Sequence, residues 1–245
     1  MAPLPPAPAG RRTLAEEVLV VLALSLLASA VFAILDLLAA PIKGVVVAST
    51  DQSNELARQL AGVVFGLAPV ALVVHLVRRS GEGPGAIGLE PDDPWADVAA
   101  GVVLFGVVGL AGVGIYFASV AAGVNRFVVP VPPLGHWWTV PVLILSAVQA
   151  ALVEEVIVLG YLVTRLQQVG AAVWVAVGAS ALLRGSYHLY QGWGGFAGNL
   201  AMGLLFAILF VRWRRTWPFV VAHLLLDVGA GVGYLVFRGR LNGLV

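Results

Sequence analysis

The sequence contains no cysteine, which excludes disulfides, thiolate metal ligands and a cysteine nucleophile. Charge is scarce as well. Only 11% of the 245 residues are Asp, Glu, Lys or Arg, against about 25% in an ordinary soluble domain. The formal net charge of +1 leaves little to attract a polyanion, so no nucleic-acid partner is expected. No internal repeat and no alternating strand pattern is visible. What is abundant is apolar surface: 60% of the residues are hydrophobic. The composition is that of an all-α, polytopic transmembrane helical bundle.

Residues 1–13 are rich in proline and alanine and read as a disordered tail. Residues 14–245 read as one transmembrane helical domain. The first apolar run, Val18 to Leu35, follows Arg11 and Arg12. It exceeds the roughly 7–15 residues of a signal-peptide core, so an uncleaved span is expected. Asp36 falls near its far end, as an interfacial carboxylate. A polar connection from Pro41 to Arg58 leads to further spans at about 59–77, 95–122, 139–166, 171–190, 194–211 and 217–237. About seven spans result, too long and too uniformly apolar for barrel strands. His136-Trp137-Trp138 suits an interfacial aromatic belt. Gly192, Gly194, Gly195 and Gly198 at the start of the sixth span would let helices approach closely. With the N-terminus inside, the inner segments carry eight Lys/Arg and the outer ones five, counting Arg165 among the inner and Lys43 among the outer. A cytoplasmic N-terminus is expected.

The chain is organised around Glu154 and Glu155. No basic residue lies within nine positions on either side of the pair. Ionisable groups at membrane depth are costly, and by default they mark a functional site. Later spans add His188, His223 and Asp227, and Arg184 one turn before His188. Residues four apart share a helical face, so Asp227 can orient His223. Adjacent glutamates diverge by about 100° and should take different roles. By helical rise, Glu154 and Glu155 lie roughly 15 Å from the inner boundary and His223 roughly 9 Å. His188 comes out at roughly 25 Å, too far to meet them unless the fifth helix starts late or tilts.

Such a set supports hydrolysis by water. A buried glutamate can act as general base. Histidines can stabilise an oxyanion or share a metal. Ser180 and Ser186 are poor nucleophile candidates, because small polar residues in spans usually pack. A proton-coupled carrier with Glu154, Glu155 and His188 as relay is the competing reading, but no repeated half or pair of broken helices supports it.

Glu-Glu followed by Gly160-Tyr161-Leu162, then His188-Leu189-Tyr190-Gln191-Gly192, then His223-x-x-x-Asp227, resemble three motifs of the CAAX prenyl protease and bacteriocin-processing (Abi, CPBP) family. The motifs fall within about Val140 to Tyr234, with 33 residues from Glu155 to His188 and 35 from His188 to His223. The resemblance implies a glutamate-dependent intramembrane endopeptidase acting on a membrane-held or lipid-modified peptide, and the Ala/Val/Gly-rich, lysine-poor composition suggests a bacterial cell membrane. It makes Glu154 the water-activating base and Glu155 its support. His188 would assist the water, and His223 and Asp227 would form the oxyanion side. No cofactor is strictly required. A divalent ion such as zinc, if used, would sit on Glu154, His188 and His223.

Three positions depart from the family's pattern. Leu159 stands where an arginine is usual, Arg184 where a phenylalanine is usual, and Asp227 where asparagine is usual. Arg184 is expected to replace the lost guanidinium as partner of Glu155, since a lone carboxylate at this depth is destabilising. The alternative is that Arg184 snorkels to an interface. Leu159 also keeps open a non-catalytic member that serves as a membrane scaffold or immunity protein.

Overall fold

In the computed structural model the described residues are 10–39, 45–47, 54–132 and 134–241. The expected tail therefore lies outside them for residues 1–9, as do Lys43 and most of the connection after Ala39. Ten helices follow in order: α1 (Arg11–Ala23), α2 (Leu26–Ala39), α3 (Glu55–Gly66), α4 (Ala68–Arg79), α5 (Pro94–Ala121), α6 (Thr139–Glu154), α7 (Leu162–Gln168), α8 (Val173–Tyr187), α9 (Trp193–Trp213) and α10 (Trp217–Leu241). A π-helical stretch, Glu155–Tyr161, joins α6 to α7.

All seven apolar segments become helical, but they do not all cross in the same way. Five continuous stretches are long and apolar enough to span: Glu55–Arg79, Pro94–Ala121, Thr139–Gln168, Trp193–Trp213 and Trp217–Arg238. The first segment is not one straight helix. It bends by 50° between α1 and α2, and only the pair together is long enough to span. The expected helix from Ala171 to Tyr190 is also shorter. α8 has 15 residues, or about 22 Å at 1.5 Å per residue, less than the roughly 30 Å hydrocarbon thickness. It ends at the buried Tyr187, and a short 3-10 turn, Leu189–Gln191, follows with Leu189 also buried. Irregular backbone at membrane depth is tolerated where protein buries it or it lines a cavity.

Helix packing explains where the small residues fall. α8 lies against α9, and α10 against α5 and α6. At Gly203 an added Cβ would stand 2.9 Å from Ala181 Cα, so only glycine permits this α8–α9 approach. Gly192 serves a different purpose: its φ of 113° turns the chain from the 3-10 turn into α9. Of the other glycines expected to allow close approach, Gly194 abuts Ser119 and Gly195 abuts Gln191, whereas Gly198 has only Ile115 at 4.0 Å.

Two buried apolar clusters flank the π stretch. One joins Leu26, Ala30, Val73, Val153, Val156, Ile157 and Tyr187. The other joins Leu159, Val163, Phe206, Phe210 and Phe219. The only strand pairing among the described residues is a three-residue parallel ladder between β1 (Val45–Val47) and β2 (Phe127–Val129).

Arg165 is not a free inner-boundary cation. It is fully buried, ion-paired with Glu82 and hydrogen-bonded from Nη1 to Gln168 Oε1 at 2.6 Å. Glu82 belongs to the loop between α4 and α5. Burial pushes its carboxyl upward, but hydrogen bonds from Arg165, Gln168 and Ser80 outweigh that and hold it below the usual range.

Candidate active site

The π stretch opens at the glutamate pair and sets the two side chains apart. Its i→i+5 pattern is rare and concentrates at functional sites. Ser180 Oγ donates to Val158 O at 2.8 Å, so α8 satisfies a carbonyl within the wider turn. Glu155, the first π residue, is fully buried, while Glu154 keeps 12% of its side chain exposed. The expected division of roles thus has a geometric counterpart: one carboxylate points into the protein and the other toward a cavity.

Glu155 is held from two directions. Arg184 Nη2 donates to Glu155 Oε1 at 2.6 Å. His223 Nδ1 lies 2.7 Å from the same oxygen and must carry the proton, since an ionised carboxylate only accepts. Arg184 is 1% exposed and its guanidinium also sits over the Phe206 ring at 5.7 Å. It therefore does not snorkel.

Glu154 Oε2 accepts from Tyr187 Oη at 2.7 Å and from Arg184 Nη1 at 3.5 Å. His188 Nε2 stands 3.8 Å from it, beyond direct hydrogen bonding. Gln191 Nε2 donates to His188 Nδ1 at 3.1 Å. That makes Nδ1 the acceptor and leaves the proton on Nε2, facing Glu154. Asp227 Oδ2 lies 3.5 Å from His223 Nε2, on the same helical face. The five candidate residues and Arg184 thus meet in one place. His188 meets the glutamates at the C-terminal end of α8; starting at Val173 rather than Ala171 shortens the count by only about 3 Å, so the later start does not by itself account for the meeting.

Ser180 and Ser186 donate to backbone carbonyls, Val158 O and Leu182 O, and take no part in the cluster. Tyr187 escaped the motif reading. Its only sequence signal is a hydroxyl next to His188 in an apolar helix. Asp36, expected as an interfacial carboxylate, is exposed near the C-terminal end of α2. Together with Leu26, Ser29 and Ala33 of α2 it lines a cavity of about 330 Å³ whose other wall is Glu154, Tyr187, His188 and Tyr190.

The residues do not suit a metal ion. His223 gives Nδ1 to Glu155 and turns Nε2 toward Asp227, and His188 gives Nδ1 to Gln191. Among the described residues no three His, Asp or Glu side chains are grouped to hold one. The set of Glu154, His188 and His223 is therefore not a ligand cluster, and a metalloprotease-like reading has no support here.

The fold and the cluster define a class: an integral membrane helical bundle with a buried carboxylate–histidine–arginine centre. Residues 136–229 match the family model described as type II CAAX prenyl endopeptidase Rce1-like. That region contains all six polar residues of the centre, and it bears out the resemblance drawn from the three motifs. No curated protein and no solved structure matches the chain. At the level of the family, the match supports a CAAX-type intramembrane protease that meets lipid and a peptide substrate.

Proposed function

We propose that this protein is a glutamate-dependent intramembrane endopeptidase that cleaves a membrane-held or lipid-modified peptide, with its N-terminus on the cytoplasmic side of a bacterial membrane. The observation that carries the reading is the asymmetry of the glutamate pair. Glu155 is locked by Arg184 and His223, whereas Glu154 faces the cavity beside His188.

In this reading Glu154 takes a proton from water as the water oxygen attacks the scissile carbonyl carbon. The carbonyl oxygen becomes an oxyanion, which the His188 Nε2–H stabilises. The C–N bond then breaks, and the proton held by Glu154 passes to the leaving amine. Tyr187 and Arg184 are positioning residues for Glu154. Glu155 orients His223 and neutralises Arg184. His223 flanks the centre on α10, held between Glu155 and Asp227, as a positioning residue.

The test is cleavage of a farnesylated, fluorescence-quenched CAAX peptide by the purified protein in detergent. Wild type should cleave, and Glu154→Ala should lose at least a thousandfold in kcat/KM. A chelator should leave cleavage unchanged. Cleavage retained by Glu154→Ala would refute the mechanism. A folded wild type that binds the peptide without cutting it would instead favour the non-catalytic scaffold, with Leu159 as the departure to blame.

A further inference from the structure

α2 forms one wall of the cavity with a single face. Leu26, Ser29, Ala33 and Asp36 follow one another at intervals of three, four and three residues along one stripe, and Phe32 beside it completes the α2 wall. The opposite stripe, with Leu35 at 52% and Leu38 at 79% exposure, faces outward. Asp36 lines the cavity and remains exposed. The beginning of α2 is packed into the core, where Leu26 and Ala30 join Val153 and Tyr187. The Asp36 end forms the open part of the wall.

Among the described residues Asp36 has no cation and no hydrogen-bond donor of its own. Arg184, the arginine of the centre, is already committed to both glutamates. The cavity thus presents two carboxylates, Glu154 and Asp36, in a lining that is otherwise aliphatic, aromatic or weakly polar. An exposed carboxylate without a partner of its own is free to pair with a cation that enters the cavity. Its complement is a cation brought by the occupant. From Leu26 to Asp36 the wall is about 15 Å long at 1.5 Å per residue. An extended peptide at about 3.3 Å per residue would cover it with four to five residues.

We infer that Asp36 is a specificity-determining residue, and that the peptide this cavity takes carries a lysine or arginine within about four residues of the scissile bond, paired with Asp36 when bound. This rests on the endopeptidase reading for the words "scissile bond" only; the cation preference itself belongs to the cavity.

The experiment uses farnesylated CAAX peptides that differ in one residue, lysine, norleucine or glutamate, scanned from four positions before the cysteine to the last position. Binding is measured by fluorescence anisotropy to the full-length Glu154→Gln protein in detergent, so cleavage is not needed for the answer. In parallel, wild-type kcat/KM is measured on the same peptides. At one or two positions lysine should be preferred over norleucine by about threefold in Kd, the scale of a solvent-exposed charge pair. Asp36→Asn in the same background should bring that ratio close to one, and Asp36→Lys should prefer the glutamate peptide. If cleavage fails while the lysine preference and its Asp36 dependence hold, the endopeptidase reading falls and this inference stands. No lysine preference at any position, or a preference that survives Asp36→Asn, or no measurable binding of any of these peptides, would overturn it.

Discussion

Arg184 on α8 and Glu155 at the start of the π stretch are 29 residues apart in the chain and 2.6 Å apart in space. Both are buried, and each is the other's main charge partner. Removing one partner of such a pair costs about 3–5 kcal/mol, because the other is left charged and buried. Arg184→Leu should therefore lower the melting temperature in detergent markedly and abolish cleavage. Leu159 lies in the same apolar cluster as Phe206, the ring under the Arg184 guanidinium. An arginine introduced at 159 starts from the same neighbourhood. Arg184→Leu combined with Leu159→Arg should regain part of the stability and activity lost in the single variant. If the double variant is no better than Arg184→Leu, the two positions do not exchange the role.

The pairing of Arg184 with Glu155 could be anticipated from charge balance alone, since an unpartnered carboxylate inside an apolar span demands a cation. The spans and the meeting of the three motifs were legible for a similar reason: hydropathy and helical spacing are local properties. What the chain concealed depends on distant partners. The role of Arg165 is set by Glu82, 83 residues away. The bend between α1 and α2 leaves no mark in a hydropathy window, because Leu24 and Ser25 are as compatible with a straight helix as with a break. The early end of α8 was hidden by the apolar run to Tyr190, although Gly192, which turns the chain there, stands in plain sight. The π stretch meets partners that are distant in sequence: Ser180 of α8 donates to Val158 O, and Gly160 packs against Ile87 O of the loop after α4.

Tyr187 Oη donates to Glu154 Oε2 at 2.7 Å. A hydrogen bond to a charged group is worth about 1.5–3 kcal/mol. Tyr187→Phe keeps the ring and removes only the donor. It should reduce kcat by ten- to a hundredfold, with KM and melting temperature little changed. A rise in KM with kcat preserved would show that the hydroxyl binds substrate and does not position Glu154.

Asp227 is the third departure from the family's pattern, and its carboxylate can only accept a hydrogen bond when ionised. It stands 3.5 Å from His223 Nε2. Asp227→Asn supplies an amide donor in nearly the same shape. If this position serves the oxyanion, kcat should hold or rise with KM unchanged. A fall of more than tenfold would assign the carboxylate to holding His223 instead.

Glu82 links the loop after α4 to α7 through Arg165, Gln168 and Ser80. Burial pushes its carboxyl up, but these donors outweigh that and hold it below the usual carboxylate range. The unfolded chain therefore takes up this proton at a higher pH than the folded protein does. The stabilisation is fully present above the unfolded value and is lost as the pH falls through the lower folded value. Melting in detergent followed from pH 7 to pH 3 should show stability falling below about pH 4.5, where a free glutamate begins to protonate. In Glu82→Gln the charge is gone at every pH, so the variant should start lower at pH 7 and lose less than wild type on acidification. Parallel curves for the two proteins would mean that the acid-sensitive contact lies elsewhere. The same variant leaves Glu154 and Glu155 untouched. Its cleavage rate at a temperature well below melting therefore reports whether this inner clamp matters only for stability or also for the placing of the π stretch, which begins ten residues before Arg165.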